Sequence, residues 1–452
     1  MKGIKNSNIG DFSYAHSVLQ SLSCLDSSNY ISQNLVDFNI DNHPDYYLTM
    51  ATFNLIDSLN KGKEGNSEYF MQCFNNAYEK NKEIIKIQNV LYPDPFHFTF
   101  FLLQFLHLET NIPENPNYQL YTESLLNQKN DEYMYELYKD FWNQTHHSII
   151  ANFYCNIIRY IIDCPNCDKY FSYSMKNIFR INVKTVKYFR DLTYPERINN
   201  KINLDECFRC YSGAYKKNCL NCNNENAKRY TRIIIPANVL IISLERKKEN
   251  RNYQGDIFFE QNFDLANFIS TTRAKNKKSK YILKACISFD GKKYLADCYL
   301  KNEGNWYRFI DENKEKLSSF EEIYKYEPQM LIYELDNNNN NQDNNINQFY
   351  LNNNKNIINN NNLINNNNNI NNINLINQNF NNNNNNFNLN GNNNGFINNN
   401  ININDNNNFI NNNINLNANN NNANLNSNIN NFKNLNTNNK ISLIHLPIII
   451  LI

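Results

Sequence analysis

Residues 3–20 read GIKNSNIGDFSYAHSVLQ, and no other part of the chain says more about its fold. After Ser13, apolar residues recur at the spacing of one helical face, which predicts a buried helix that begins there. These residues are Tyr14, Val18, Leu19 and Leu22. The stretch therefore places a hydroxyl at the start of a core helix close to the amino terminus.

The composition of the whole chain limits the function classes. At 452 residues it is long enough for two or three ordinary domains or for one large multilayer enzyme. Its 44 basic and 43 acidic residues nearly cancel, so no overall field favours nucleic acid or an anionic membrane as partner. The amino terminus has no apolar stretch typical of a signal peptide, and no run of apolar residues is long enough to span a bilayer. We therefore expect a cytoplasmic or nuclear protein.

The composition changes after Leu335, which predicts a domain boundary. Asparagine dominates residues 336–440, and such a tract cannot bury enough apolar surface to fold, so we expect it to be disordered. Its origin is either compositional drift or selection for self-association. Residues 441–452 are nearly all apolar but too few to span a bilayer; they dock as a strand or stay exposed.

Residues 1–335 divide into a helical half and a stranded half. Asp94 and Pro95 are a favourable helix start, and the apolar run at residues 96–106 predicts a helix buried in a core. The later residues contain β-rich runs separated by polar loops. These runs are residues 232–235, 239–244, 281–289, 294–300 and 330–335. Helices followed by strands in one block predict an α+β fold.

Six of the eleven cysteines form three CxxC pairs. In a chain without a secretory signal, such pairs indicate a metal site or redox chemistry more than disulfides. Two pairs supply the four thiolates of a tetrahedral zinc ion, and the short spacing lets each pair hold one edge of the tetrahedron. The pairs are Cys164 with Cys167, Cys207 with Cys210, and Cys219 with Cys222.

Residues 3–20 resemble the nucleophile segment of the ubiquitin-specific proteases, which are papain-like cysteine deubiquitinases. Four further segments resemble family motifs in the family's order. They are residues 94–98 (the Asp-Ala-x-Glu-Phe helix start), the CxxC pairs at 164–167 and 219–222, residues 227–246, and residues 304–309 with 330–333. The resemblance covers nearly all of residues 3–335 and implies a helical thumb, a stranded palm and zinc-bearing β fingers at about 155–245.

The resemblance also implies positions for the catalytic groups, and these positions are degenerate. Ser13 stands where the family has its cysteine, and Asn8 matches the oxyanion-stabilising asparagine. The family's histidine falls on Lys293. The acid that orients the histidine falls on Ile310, with Asp311 one place later. We therefore expect no intact catalytic set.

None of the seven histidines supplies the missing catalytic base from the predicted strands. None lies between His147 and the Asn-rich tail, the interval that holds every predicted strand able to carry the base. We assign no role to the isolated histidines. One alternative is a Ser13–Lys293 dyad, in which the lysine would need burial to act as a base.

The resemblance also chooses among the cysteine pairs. The family's second zinc knuckle precedes the segment matched by residues 227–236, which favours Cys219 and Cys222 over Cys207 and Cys210 as partners of Cys164. We expect the four sulfur atoms to lie about 3.5–4 Å apart, since Zn–S bonds are near 2.3 Å.

Three hypotheses for function follow. The first is a pseudo-deubiquitinase that binds ubiquitin, a ubiquitin-like modifier or a protein complex without hydrolysis. The second is an active deubiquitinating hydrolase, and the third is a scaffold that no longer binds ubiquitin. Departures from the family bear on binding: Asp11 and Phe12 precede the nucleophile position, His97 replaces a glutamate, and Lys292 and Lys293 add positive charge beside the expected tail groove.

Overall fold

The structure is a computed structural model that describes residues 1–4, 12–34, 47–63, 67–82, 94–111, 115, 130–146, 148–167, 169–184, 202–219, 222–245, 247–248, 251–252 and 257–336. Asn8 and Asp11 lie outside these ranges, as do the Asn-rich tail beyond Asp336 and the apolar segment 441–452.

Most helices of the described residues precede the strands. They are α1 (Ser13–Ser23), α2 (Asp26–Gln33), α3 (Tyr47–Asn60), α4 (Ser67–Asn81), α5 (Pro95–Thr110), α6 (Asp131–Thr145), α7 (Ile149–Tyr154), α8 (Leu204–Ser212) and α9 (Thr272–Lys277). Two 3-10 helices span Ala266–Phe268 and Phe320–Lys325. None of the helices in the described ranges combines the length and the hydropathy that a membrane crossing needs.

The strands follow in chain order. They are β1 (Asn156–Cys164), β2 (Lys169–Ile178), β3 (Ile181–Lys184), β4 (Ile202–Asn203), β5 (Tyr215–Lys216), β6 (Lys228–Ile235), β7 (Val239–Glu245), β8 (Lys247–Lys248), β9 (Arg251–Asn252), β10 (Ile257–Phe258), β11 (Asn262–Asp264), β12 (Lys280–Phe289), β13 (Tyr294–Leu300), β14 (Asn305–Ile310), β15 (Asn313–Lys316) and β16 (Glu327–Leu335). Each β-rich run predicted from the sequence lies within one of these strands. The predicted α+β class is confirmed.

Two sheets carry most of the strands. The larger has eight strands, with the order β15-β14-β13-β12-β16-β7-β3 and β11 paired with β12; its pairs are antiparallel except β3 with β7. The smaller has the order β2-β1-β6-β5. It holds the four cysteines of the expected metal site at its end, as described below.

Helix α1 lies between the other helices and the large sheet. Every residue of α1 is buried, and the helix packs against α3, α5, β12 and β13. Cys24, which caps its end, donates to the carbonyl oxygen of Lys284 in β12 at 3.4 Å, and Cys298 in β13 donates to that of Gln20 at 3.7 Å. The predicted helix therefore begins at Ser13 and is buried on all sides, not on one face alone.

Helix α5 begins as the sequence predicts. The Asp94 carboxylate accepts the backbone N–H of His97 at 2.8 Å, and Pro95 occupies the first turn, where its missing N–H costs nothing. Phe98 packs edge-on against Tyr14 with ring centroids 5.7 Å apart. This contact fixes α5 against the first turn of α1.

Candidate active site and metal centre

Ser13 starts helix α1 with a side chain that is only 3% exposed. Its Oγ accepts a hydrogen bond from the backbone N–H of Tyr294 at 3.3 Å. Tyr294 is the first residue of β13 and directly follows Lys293. The start of α1 and the loop between β12 and β13 therefore meet, although they are 281 positions apart in sequence.

Lys293 ends a tight loop between β12 and β13. The Asp290 carboxylate accepts the backbone N–H groups of Lys292 and Lys293, both at 2.7 Å, and Gly291 has a φ of 98° that favours glycine. The Lys293 Nζ lies 2.7 Å from Oδ2 of Asp311, with the two side chains 41% and 11% exposed. An ion pair at the protein surface stabilises the charged ammonium, which cannot accept a proton from Ser13. The geometry therefore disfavours the Ser13–Lys293 dyad.

Asp311, and not Ile310, supplies the carboxylate at this place. Ile310 ends β14 and pairs with Asn313 of β15, so Asp311 is the first residue of a two-residue turn and has a φ of 51°. Its carbonyl oxygen accepts the N–H of Ile4 at 3.0 Å. A Cβ on Gly3 would lie 2.4 Å from that same oxygen, so only glycine allows the amino-terminal segment to hold the turn this closely.

His16 is the residue that sequence reasoning missed. It lies in α1 and is 4% exposed; its Nδ1 is 3.4 Å from Oδ1 of Asp311. The hydrogen bond from His16, and after it the Lys293 ammonium, hold the pKa of Asp311 below its usual value despite partial burial. An ionised carboxylate only accepts, so Nδ1 carries a proton, which leaves Nε2 as an acceptor when the ring is neutral. The available signal was the three-residue spacing from Ser13, which puts both side chains on one face of a helix.

A small cavity joins these groups. It is lined by Ser13, His16, Ser17, Gln20, Tyr294, Phe309 and Asp311, and encloses about 10 Å³, which is enough for a single water molecule. A hydroxyl, an imidazole and a carboxylate thus surround one water-sized space. The structure brings Ser13, Lys293 and Asp311 to one place; the oxyanion role of Asn8 stays a prediction, because Asn8 lies outside the described residues.

The four cysteines meet at the end of the smaller sheet. Cys164 ends β1, Cys167 follows in the turn, and Cys219 and Cys222 lie between β5 and β6. A turn positions the second pair, since the N–H of Asn223 donates to the carbonyl oxygen of Cys219 at 2.9 Å.

The sulfur atoms of these cysteines all lie within 4.8 Å of one another. Cys164 is 3.6 Å from Cys222, and Cys167 is 3.4, 3.5 and 3.1 Å from Cys164, Cys219 and Cys222. The distances of 3.5 and 3.6 Å fall within the range expected around zinc, and those of 3.4 and 3.1 Å fall below it, so the four thiolates are close enough to share one ion. Cys207 instead lies in α8, in the hydrophobic core, and does not belong to this group.

Comparisons with known proteins agree with this architecture. The sequence model of the family described as ubiquitin carboxyl-terminal hydrolase matches residues 4–333. No curated protein sequence matches the chain.

Two solved structures are similar in fold. The SAGA Ubp8/Sgf11/Sus1/Sgf73 DUB module bound to ubiquitin aldehyde has a TM-score of 0.51 and 18% identity over 74% of this chain and 69% of that one. A yeast SAGA DUB module with a mutant Sgf73 has a TM-score of 0.51 and 19% identity over 74% of this chain and 68% of that one. The ubiquitin-specific-protease fold predicted from the sequence is confirmed.

Proposed function

The chain belongs to the ubiquitin carboxyl-terminal hydrolase family, and from this premise we propose that it binds ubiquitin or a ubiquitin-like modifier without cleaving isopeptide bonds. The observation that carries the proposal is the ion pair between Lys293 and Asp311, at the place where the family has its histidine and acid. We assign the function to residues 1–335, with fingers at about 155–245 and the Asn-rich tail outside the binding domain.

Isopeptide cleavage needs groups that this place does not offer. The family nucleophile is a thiolate, whereas Ser13 offers a hydroxyl, which needs a strong base to act. The amine that leaves must also take up a proton, which a histidine beside the scissile bond normally delivers. At position 293 a lysine is held in its charged form by a carboxylate at 2.7 Å. The established route of the family is therefore closed in this chain.

Binding is supported by what the fold retains. The resemblance implies that zinc-bearing fingers cradle ubiquitin while its C-terminal tail threads toward the nucleophile position, and one similar module is bound to ubiquitin aldehyde. The charge penalty expected from Lys292 and Lys293 is smaller than the sequence indicates, because Asp311 neutralises Lys293. Lys292 keeps its positive charge beside the Asp290 carboxylate and is left to repel an arginine-bearing tail.

We further propose that the four-cysteine group holds one structural zinc ion. Four soft thiolates leave no open coordination position, which is typical of structural and not catalytic zinc. Such thiolates stay reduced in the cytoplasm or nucleus, where we place the protein. The ion would join the end of β1 to the loop before β6, two segments that otherwise share few buried side chains.

The test combines turnover and binding on the full chain. We expect no release of fluorophore from ubiquitin carrying a C-terminal fluorogenic amide, together with saturable binding of free ubiquitin by calorimetry. Ser13→Ala should leave that binding unchanged. Lys292→Glu should tighten it several-fold, whereas Lys280→Glu, at an exposed position at the other end of β12, should not.

The outcomes separate the three hypotheses. Fluorophore release that Ser13→Ala abolishes would show an active hydrolase and refute the proposal. Absence of binding to ubiquitin and to its relatives would leave the scaffold hypothesis.

A further inference from the structure

His16 has one ring nitrogen that the fold satisfies and one that it does not. Nδ1 contacts the Asp311 carboxylate at 3.4 Å, whereas Nε2 is buried and has no hydrogen-bond partner within the described residues. Buried polar atoms are almost always paired, so an unpaired imidazole acceptor indicates a missing partner or a chemical role.

The missing partner has a place beside Ser13. Ser13 and His16 line the same cavity, whose size of about 10 Å³ admits one water molecule. The two side chains are three positions apart on one helix and so lie on the same face. A water molecule in this cavity would accept the Ser13 hydroxyl proton and donate to Nε2, and would so give the serine a path to a base.

We propose that Ser13, His16 and Asp311 form an acyl-transfer site that reacts with activated carboxylic esters. Ser13 is the nucleophile and His16 the base, whereas Asp311 is a positioning residue that fixes the ring through Nδ1. The site differs from the Ser13–Lys293 dyad, because its base lies inside α1 and not on the loop before β13.

The step balances as follows. Ser13 Oγ forms a bond to the ester carbonyl carbon, and its proton passes through the water to His16 Nε2. The bond from that carbon to the ester oxygen breaks, and the alcohol or phenol oxygen leaves with the electron pair. The imidazolium then gives its proton to the departed phenolate or to solvent. A second water attacks the acyl-serine carbon while His16 accepts one of its protons, the bond from that carbon to Oγ breaks, the carboxylic acid leaves, and His16 returns that proton to Oγ. Asp311 stabilises the imidazolium that forms between the two transfers.

Esters suit this site better than amides. A phenolate leaves without a proton, whereas an amine must be protonated as it departs. His16 is only 4% exposed and reaches Ser13 through the small cavity, so it takes a proton from the serine but is not open to a leaving group in solvent. The reaction is independent of modifier binding and leaves the proposed lack of isopeptide cleavage intact.

The experiment uses the full chain and p-nitrophenyl acetate, with peptide mass mapping of the acetylated residue. We expect acetylation of Ser13 and release of p-nitrophenolate, with both lost in Ser13→Ala. His16→Gln should slow Ser13 acetylation by about 100-fold or more, the usual contribution of a general base. Lys61→Gln, at an exposed position just after α3, should leave the rate unchanged. Asp311→Asn should lower kcat for the ester with little change in KM, because the ring loses the carboxylate that orients it through Nδ1 while no contact to the substrate is removed.

A second measurement reports on the same geometry without an ester. The thiol introduced by Ser13→Cys should react with iodoacetamide with a midpoint below the usual thiol value of about 8.5, because a nearby imidazole stabilises the thiolate. Adding His16→Gln should return the midpoint to that value. The proposal would be overturned if acetylation were confined to lysines, or if the pH profile of the iodoacetamide reaction were the same with and without His16→Gln. Loss of ubiquitin binding with Ser13 acetylation retained would refute the proposed function alone.

Discussion

Two stacked histidines should make the folded domain sensitive to mild acid. His107 near the end of α5 and His146 after α6 lie with ring centroids 5.7 Å apart and planes 3° apart, and His146 also stacks on Trp142 at 4.5 Å. Burial, and then the neighbouring His146, lowers the pKa of His107 to about 3. Burial lowers the pKa of His146 to about 4. In the folded state, both rings stay neutral at pH values at which a free imidazole is already charged.

The sign and size of the effect follow from linkage. An imidazole in the unfolded chain has a pKa of about 6.5, so below that pH the unfolded state binds protons that the folded state does not bind. Each such group costs about 1.4 kcal/mol of stability per pH unit. Between pH 6.5 and 4.5 the loss is therefore about 2.5 kcal/mol for each ring and about 5 kcal/mol for both. Stability is fully present above pH 6.5 and falls as the pH drops.

The variant His107→Phe tests this reasoning, because it keeps a ring in the stack and removes one titrating group. It also removes the buried Nδ1 of His107, which has no hydrogen-bond partner within the described residues. We expect the free energy of unfolding by urea, followed by circular dichroism, to change by about 1 kcal/mol or less near neutral pH. The difference between parent and variant should then grow by about 2.5 kcal/mol from pH 6.5 to 4.5.

The control is Tyr138→Phe in α6, which removes no group that titrates in this range. It should shift stability equally at every pH. A parent and a His107→Phe variant that lose stability in parallel on acidification would refute the argument that burial of the ring holds its pKa down.

Three further predictions concern the metal centre and the site. Cys164→Ala should lower the zinc content measured by atomic emission from about one ion per chain to near zero, and the melting temperature by about 5 °C or more; an unchanged metal content would contradict the four-cysteine assignment. Gly3→Ala should lower the free energy of unfolding by about 1–3 kcal/mol, because its Cβ meets backbone atoms of the turn at Asp311; a neutral effect would show that the turn moves freely. Ser13→Cys combined with Lys293→His should hydrolyse the fluorogenic ubiquitin amide about 100-fold faster than Ser13→Cys alone, with Asp311 orienting the new imidazole. Equal activity of the two variants would show that Asp311 cannot serve as the acid and that Ile310→Asp is also needed.

The sequence alone determined the elements and which four cysteines lie together. The start of α1 at Ser13, the cap of α5 at Asp94 and the long strands all depend on patterns within a few residues, and the structure reproduces them. The choice of Cys219 and Cys222 over Cys207 and Cys210 came from the order of motifs, and the sulfur distances agree with it. Local periodicity encodes which residues are buried, and burial is what forms these elements.

Only the tertiary structure decided how the side chains of the site meet. The resemblance matched the family's acid to Ile310, with Asp311 one place later. In the structure, Asp311 has a φ of 51° in the turn after β14, its carbonyl oxygen accepts the N–H of Ile4, and its carboxylate lies beside Lys293. The spacing of His16 from Ser13 indicates a shared helix face, but it does not reveal the partner Asp311, which lies 295 positions away. Along a strand, a shift of one residue moves a side chain to the opposite face. The conformation of the turn at Asp311 depends in addition on the contact from Gly3 and Ile4, at the opposite end of the domain. Such a contact is a property of the folded chain and has no counterpart in the local pattern.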